Sequence, residues 1–294
     1  MKNLMKSALF LLIGLSACQK ENVEPTTDPR QANEAGLRES ALPSTAPKNY
    51  KLVQESNAKL SYDESGRVSK LIFEAAHRGA IGTTGTYVVY KYGAHQVSSV
   101  MYYNNSVYQR STYLLDGAGR CYESNQFDYE SAGGNAYVEK ESSFTYQYNA
   151  TGRLISRTNK LAATEKTTFG WNAAGDMTKI TGTDFSGGRA YLPTKANSTL
   201  YYDQPTGDPI LDNTLAVNEE AFSLPDRYLP IFGKKSLHLV KMSSYQPTQY
   251  ATYFNYTLNA DGYPTKRDTY EVTGAKLVES NTYGYLVTNI GLHL

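Results

Sequence analysis

Cysteine, histidine, tryptophan and net charge are all scarce in this chain, and each scarcity removes a class of function. Its 294 residues hold two Cys, four His and one Trp, with 29 basic against 28 acidic side chains. His77, His95, His238 and His293 stand far apart and form no His-Glu-x-x-His or similar pair, so no metal site and no metal cofactor is expected. Without Lys2 and Lys6, which fall in a leader, 27 bases face 28 acids. That balance argues against nucleic acid as a partner, and no basic run is long enough to seek anionic lipid. There is no Gly-x-Ser-x-Gly elbow and no phosphate-cradling Gly loop, so no catalytic residue is nominated and the chain is not read as an enzyme. Paired carboxylates are defined in space and not in sequence, which keeps a glycan-active hydrolase as the lowest-ranked alternative.

The first 17 residues read as a removable leader: Lys2 and Lys6 form a positive start, and Ala8 to Leu15 a short apolar run. Leu15-Ser16-Ala17-Cys18 resembles a lipobox, which makes Cys18 the lipidated residue and the protein's link to the membrane. Cys121 then has no partner for a disulfide in the mature chain, and it reads as a small core residue. Gln19-Lys20-Glu21 resembles the short signal that sends Bacteroidota lipoproteins to the cell surface. Outer-membrane, surface-exposed anchoring is therefore expected, with the periplasmic leaflet as the alternative. From residue 18 to 48 the chain has four prolines and no aromatic residue before Tyr50, the composition of a disordered tether.

What is abundant is tyrosine, 26 in all, together with a recurring turn. Five segments place an Asx residue three positions before a Gly: Asp63 to Gly66, Asp116 to Gly119, Asn149 to Gly152, Asn172 to Gly175 and Asn259 to Gly262. This suits a type I turn closed by a positive-φ Gly in a G1 bulge, and hence a hairpin. The register then sets Tyr62 opposite Val68, Leu115 opposite Cys121, Tyr148 opposite Leu154, Trp171 opposite Met177 and Leu258 opposite Pro264. All ten are apolar or aromatic, as one buried face requires. The same register sets Phe169 beside Lys179 and Tyr256 beside Lys266 one step outward. Val88 to Val97 reads as a decayed copy of the turn.

Tyr148-Asn149-Ala150-Thr151-Gly152-Arg153-Leu154 resembles the YD (RHS-type) repeat of bacterial secreted and surface proteins. Gly-Arg recurs at Arg67, Arg120 and Arg153, whereas Asp176 and Tyr263 depart from it. The irregular spacing is similar to that of a Bacteroidota lipoprotein family of unknown function with a porin-like fold. The resemblance implies one large antiparallel β domain.

The resulting expectation is all-β: an antiparallel meander of about 10 to 14 strands forming a curled sheet or soluble barrel over residues 49 to 294. Residues 185 to 244 carry five prolines and read as an irregular insertion, with a short helix from Asp226 toward Gly233. Functionally, the tether and the tyrosines favour a non-catalytic binding or adhesion module for a glycan or protein. Trp171, Tyr146 and Tyr148 are the candidate binding aromatics. A structural accessory subunit of an outer-membrane complex is the second reading.

Overall fold

The computed structural model describes residues 48–74, 83–131, 137–182, 197–205, 207–213, 224–245 and 251–289. The leader, Cys18 and the tether up to residue 47 lie outside the described residues. Sixteen strands follow one another as an antiparallel meander: β1 (Lys48–Glu55), β2 (Ala58–Tyr62), β3 (Val68–Phe73), β4 (Thr86–Tyr92), β5 (Gln96–Tyr103), β6 (Ser106–Leu115), β7 (Cys121–Ser131) and β8 (Tyr137–Tyr148), then β9 (Leu154–Asn159), β10 (Lys166–Trp171), β11 (Met177–Gly182), β12 (Ser198–Tyr201), β13 (Met242–Tyr245), β14 (Ala251–Leu258), β15 (Pro264–Glu271) and β16 (Leu277–Asn289). β1 pairs with β16, from Lys48 opposite Asn289 to Glu55 opposite Tyr283, and this closes the sheet into a barrel. Closure leaves no free sheet edge among the described strands. The strand number exceeds the expected 10 to 14, in part because β12 lies inside the stretch assigned to an irregular insertion.

All five Asx-x-x-Gly turns join an even strand to the next odd one, so they gather at a single rim of the barrel. We call this the turn rim; β1 also begins there and β16 ends there. The five glycines have φ between 77° and 97°. Each Asx Oδ1 accepts the backbone N–H of the residue after the Gly, at 2.8–2.9 Å, for Arg67, Arg120, Arg153, Asp176 and Tyr263.

The register places Tyr62 opposite Val68, Leu115 opposite Cys121, Tyr148 opposite Leu154, Trp171 opposite Met177 and Leu258 opposite Pro264. Immediately beyond each of these pairs the ladder slips by one residue. This second bulge, at Ser69, Tyr122, Ile155, Thr178 and Thr265, overturns the next pairing outward. Phe169 faces Ile180 instead of Lys179, and Tyr256 faces Arg267 instead of Lys266. The slip brings the residues two and five after each Gly to the same inner face. Val68 and Leu71, Cys121 and Ser124, Leu154 and Arg157, Met177 and Ile180, and Pro264 and Arg267 are all buried.

Near the turn rim the interior is apolar, with Leu60, Leu71, Val97, Tyr113, Tyr146, Leu154, Phe169 and Ile180 in one core. A segment from Leu224 to Lys241 enters this space and adds Tyr228, Leu229, Ile231 and Phe232 to it. The expected helix does not form there. Only a 3-10 turn is present, at Asp226–Tyr228. The backbone beyond it pairs with the barrel instead of with itself: Cys121 N–H donates to Ile231 O at 2.7 Å, and Lys234 N–H to Gly152 O at 2.9 Å. Inward positions farther from the turn rim become polar, including Gln109, Gln126, Asp128, Thr167, Thr269 and Asn281.

Gly152 sits where a side chain would have room, since an added Cβ meets only Arg120 and Lys234 atoms at 3.8 and 3.9 Å. The obstacle is its φ of 81°. Gly152→Val is expected to lower stability by about 1–3 kcal/mol, read by denaturant unfolding, because a β-branched residue resists positive φ.

Candidate functional site

The second bulge leaves a carbonyl at the turn rim without a ladder partner, and the aromatic residue of a neighbouring strand supplies one. Tyr92 Oη donates to Val68 O at 2.8 Å, Tyr148 Oη to Cys121 O at 2.7 Å and Trp171 Nε1 to Leu154 O at 2.7 Å. Tyr202 Oη donates to Met177 O at 2.6 Å and Tyr285 Oη to Pro264 O at 2.9 Å. Tyr62 does the same for Leu52, beside the bulge in β1. In four of the five turns the residue after the Gly then packs on that same ring. Arg67 lies 4.4 Å from the Tyr92 centroid, Arg120 4.9 Å from Tyr148, Arg153 5.5 Å from Trp171, and Tyr263 meets Tyr285 edge-on at 5.5 Å.

The two departures from Gly-Arg mark places where the turn meets something else. Asp176 accepts the backbone N–H groups of Leu237 and His238 and lies 2.9 Å from His238 Nδ1, which ties down the inserted segment. Tyr263 stacks on Tyr50 at 3.9 Å across the barrel closure, where Asp261 receives Tyr50 Oη and Lys48 Nζ. Buried charges fix the other end of the segment. Arg227 and Tyr228 both bind the Glu55 carboxylate, and Tyr113 Oη donates to Asp226. Burial raises the Asp226 carboxyl above the ordinary range, opposed by the Arg157 charge.

These contacts decide where the candidate binding aromatics lie. Tyr146 is only 5 % exposed, with its ring on Phe232 and its hydroxyl on Ser124, so it belongs to the core and offers no surface. Tyr148 and Trp171 are half-buried, and their donors are spent on main-chain carbonyls. Cys121 is buried, and desolvation pushes its thiol well up, so it stays protonated. Among the described residues no group of three His, Cys, Asp or Glu side chains is placed to hold a metal.

The aromatic surface is on the outer wall instead. Toward the rim opposite the turns, one row crosses β3, β4 and β5 as Ile72, Tyr87 and Tyr102. Tyr87 and Tyr102 stack at 4.6 Å with 12° between planes, and exposed Tyr108 follows on β6. A second row crosses β12 to β16 as Tyr201, Met242, Tyr253, Tyr270 and Leu277, with Tyr253 and Tyr270 stacked at 4.9 Å. Neither row was legible beforehand, because only the ladder shows which tyrosines share a face. Charged residues interrupt the wall at Lys59, Lys91, Arg110 and Lys179, which are exposed on strands. Arg110 lies mid-strand on β6, where a cation facing a bilayer would cost about 2–4 kcal/mol.

Residues 148–184 match the RHS Repeat family, a span that runs from the Asn149–Gly152 turn through β11. Among solved structures, the chain is similar to a porin-like protein from Bacteroides uniformis, at 18% identity and TM-score 0.49, covering 82% of this chain and 95% of that one. A porin-like protein from Bacteroides vulgatus is similar at 12% identity and TM-score 0.46, covering 81% and 99%. No curated protein matches the chain.

The rim hydroxyls give a pH signature. Desolvation pushes Tyr62 and Tyr92 up from 10.0 to about 12. The folded state thus favours their neutral forms, and the stability they contribute is complete below pH 10 and lost as pH rises toward 12. Alkaline titration followed by phenolate absorbance should show Tyr62 and Tyr92 ionising only as the pH approaches 12, with unfolding setting in across that window.

Proposed function

We propose that the protein is an envelope-held, non-catalytic binding module for glycans, carried on a lipid at Cys18, whose contact surface is the outer wall of the barrel. The observation that carries this reading is the division of the aromatics. Those at the turn rim and inside are committed to carbonyls and core, whereas Tyr87 and Tyr102 form a stacked, partly exposed pair on the outer wall with Tyr108 beside it. Rings already held by stacking lose little freedom on binding, and their amphipathic bodies suit the C–H faces and hydroxyls of sugars. The chain enters β1 at the turn rim. The lipid would hold the barrel at the cell surface or, alternatively, on the periplasmic leaflet.

Two measurements test the two halves of the proposal. Cys18→Ala should leave the precursor unprocessed and free of lipid, and the variant should move from the detergent to the aqueous phase on phase separation. On a glycan array the protein should bind at least one ligand, and Tyr102→Ala should reduce that binding about tenfold, in line with loss of one stacking contact. Unchanged binding in a Tyr102→Ala/Tyr270→Ala double variant would remove the outer wall as the site.

A further inference from the structure

We infer that the outer face of β3–β6 is a track for an acidic polysaccharide. The inference rests on the glycan-binding reading above and adds which chemistry is bound and where. Overall charge is balanced, but this face is not: the four strands contain Lys70, Lys91 and Arg110 and no carboxylate at all. Burial alternates along each strand so that all three cations point outward, with Lys91 and Arg110 exposed.

The ladder fixes their arrangement. One outward row runs Lys70, Val89, Val100, Arg110 across β3, β4, β5 and β6, and the tyrosine row Ile72, Tyr87, Tyr102 runs directly beside it. Lys91 lies on the other side of the cation row, opposite Ser98. The Lys70 ammonium sits 5.2 Å over the Tyr87 ring, and the Arg110 guanidinium 5.6 Å over Tyr129 on β7. Side chains of the row repeat at about 4.8 Å across the sheet, with Ile72 on β3 continuing the two stacked rings of β4 and β5, which gives a linear track one side chain wide. Sugar rings can lie along the tyrosines while their carboxylates meet the adjacent cations. Three cations are too few for the counterion release that drives nucleic-acid binding, and a convex wall meets a flat bilayer along only a narrow line. The second tyrosine row lacks this bias, since Asp268, Glu271 and Glu279 accompany it.

The full-length protein in detergent is titrated with polygalacturonate and with its fully methyl-esterified, neutral form, which has the same backbone. Polygalacturonate should bind, and the ester about tenfold more weakly or worse, as expected for the loss of several exposed charge contacts. Lys70→Gln/Lys91→Gln/Arg110→Gln should lose a similar factor, while Lys70→Arg/Lys91→Arg/Arg110→Lys keeps binding and shows that the fold is intact. Equal affinity for both polymers would overturn the acidic assignment while leaving glycan binding in place. Unchanged binding by the Gln variant would overturn the location. Failure to bind either polymer, or a preference for phosphatidylglycerol vesicles or single-stranded DNA, would overturn the inference, and only a blank glycan array as well would take the glycan reading with it.

Discussion

A carbonyl released by a bulge and recaptured by the next aromatic side chain is the contact on which this barrel depends. A bulge beside every turn would ordinarily leave a polar group stranded at the edge of an apolar core, at a cost of about 1–3 kcal/mol each. Here Tyr62, Tyr92, Tyr148, Trp171, Tyr202 and Tyr285 each reach back and accept that role. The bulge in turn lets two residues of the following strand face inward instead of one. Hydrogen bonding, core packing and strand curvature at the rim are thus one arrangement, repeated around the circumference.

This arrangement also accounts for the tyrosines at the turn rim. Phenylalanine would fill the same space without satisfying the carbonyl, and serine would satisfy it without covering the core. The arginine of the Gly-Arg pair completes the unit by lying over the ring, while in two hairpins its own Asp holds the guanidinium in place. Where Asp176 and Tyr263 replace arginine, the rim is already covered, by the inserted segment in one case and by the closing strand in the other.

The all-β class, the hairpins and their first register pair were legible because Asx-x-x-Gly and apolar pairing are local signals. The second bulge was not. Ser69, Tyr122, Ile155, Thr178 and Thr265 share no side-chain chemistry, since what defines them is the tertiary fate of a neighbouring carbonyl. The same reason hid the true state of Asp226 to Gly233, a stretch whose backbone finds its partners in Cys121 and Gly152, more than eighty residues earlier. Tyr146 and Tyr102 look alike in sequence, yet one is core and the other wall. Only the alternation of a particular strand in a closed sheet separates them.

The first described residue, Lys48, pairs with Asn289, the last described residue of β16, at the rim where the chain enters. A load applied through the N-terminal segment and resisted at the opposite rim therefore runs parallel to the strands. Antiparallel hydrogen bonds lie across that direction, so the ladders on both sides of β1 are sheared as a set and are not unzipped one at a time. A barrel closed in this way resists load along its strands through many hydrogen bonds at once.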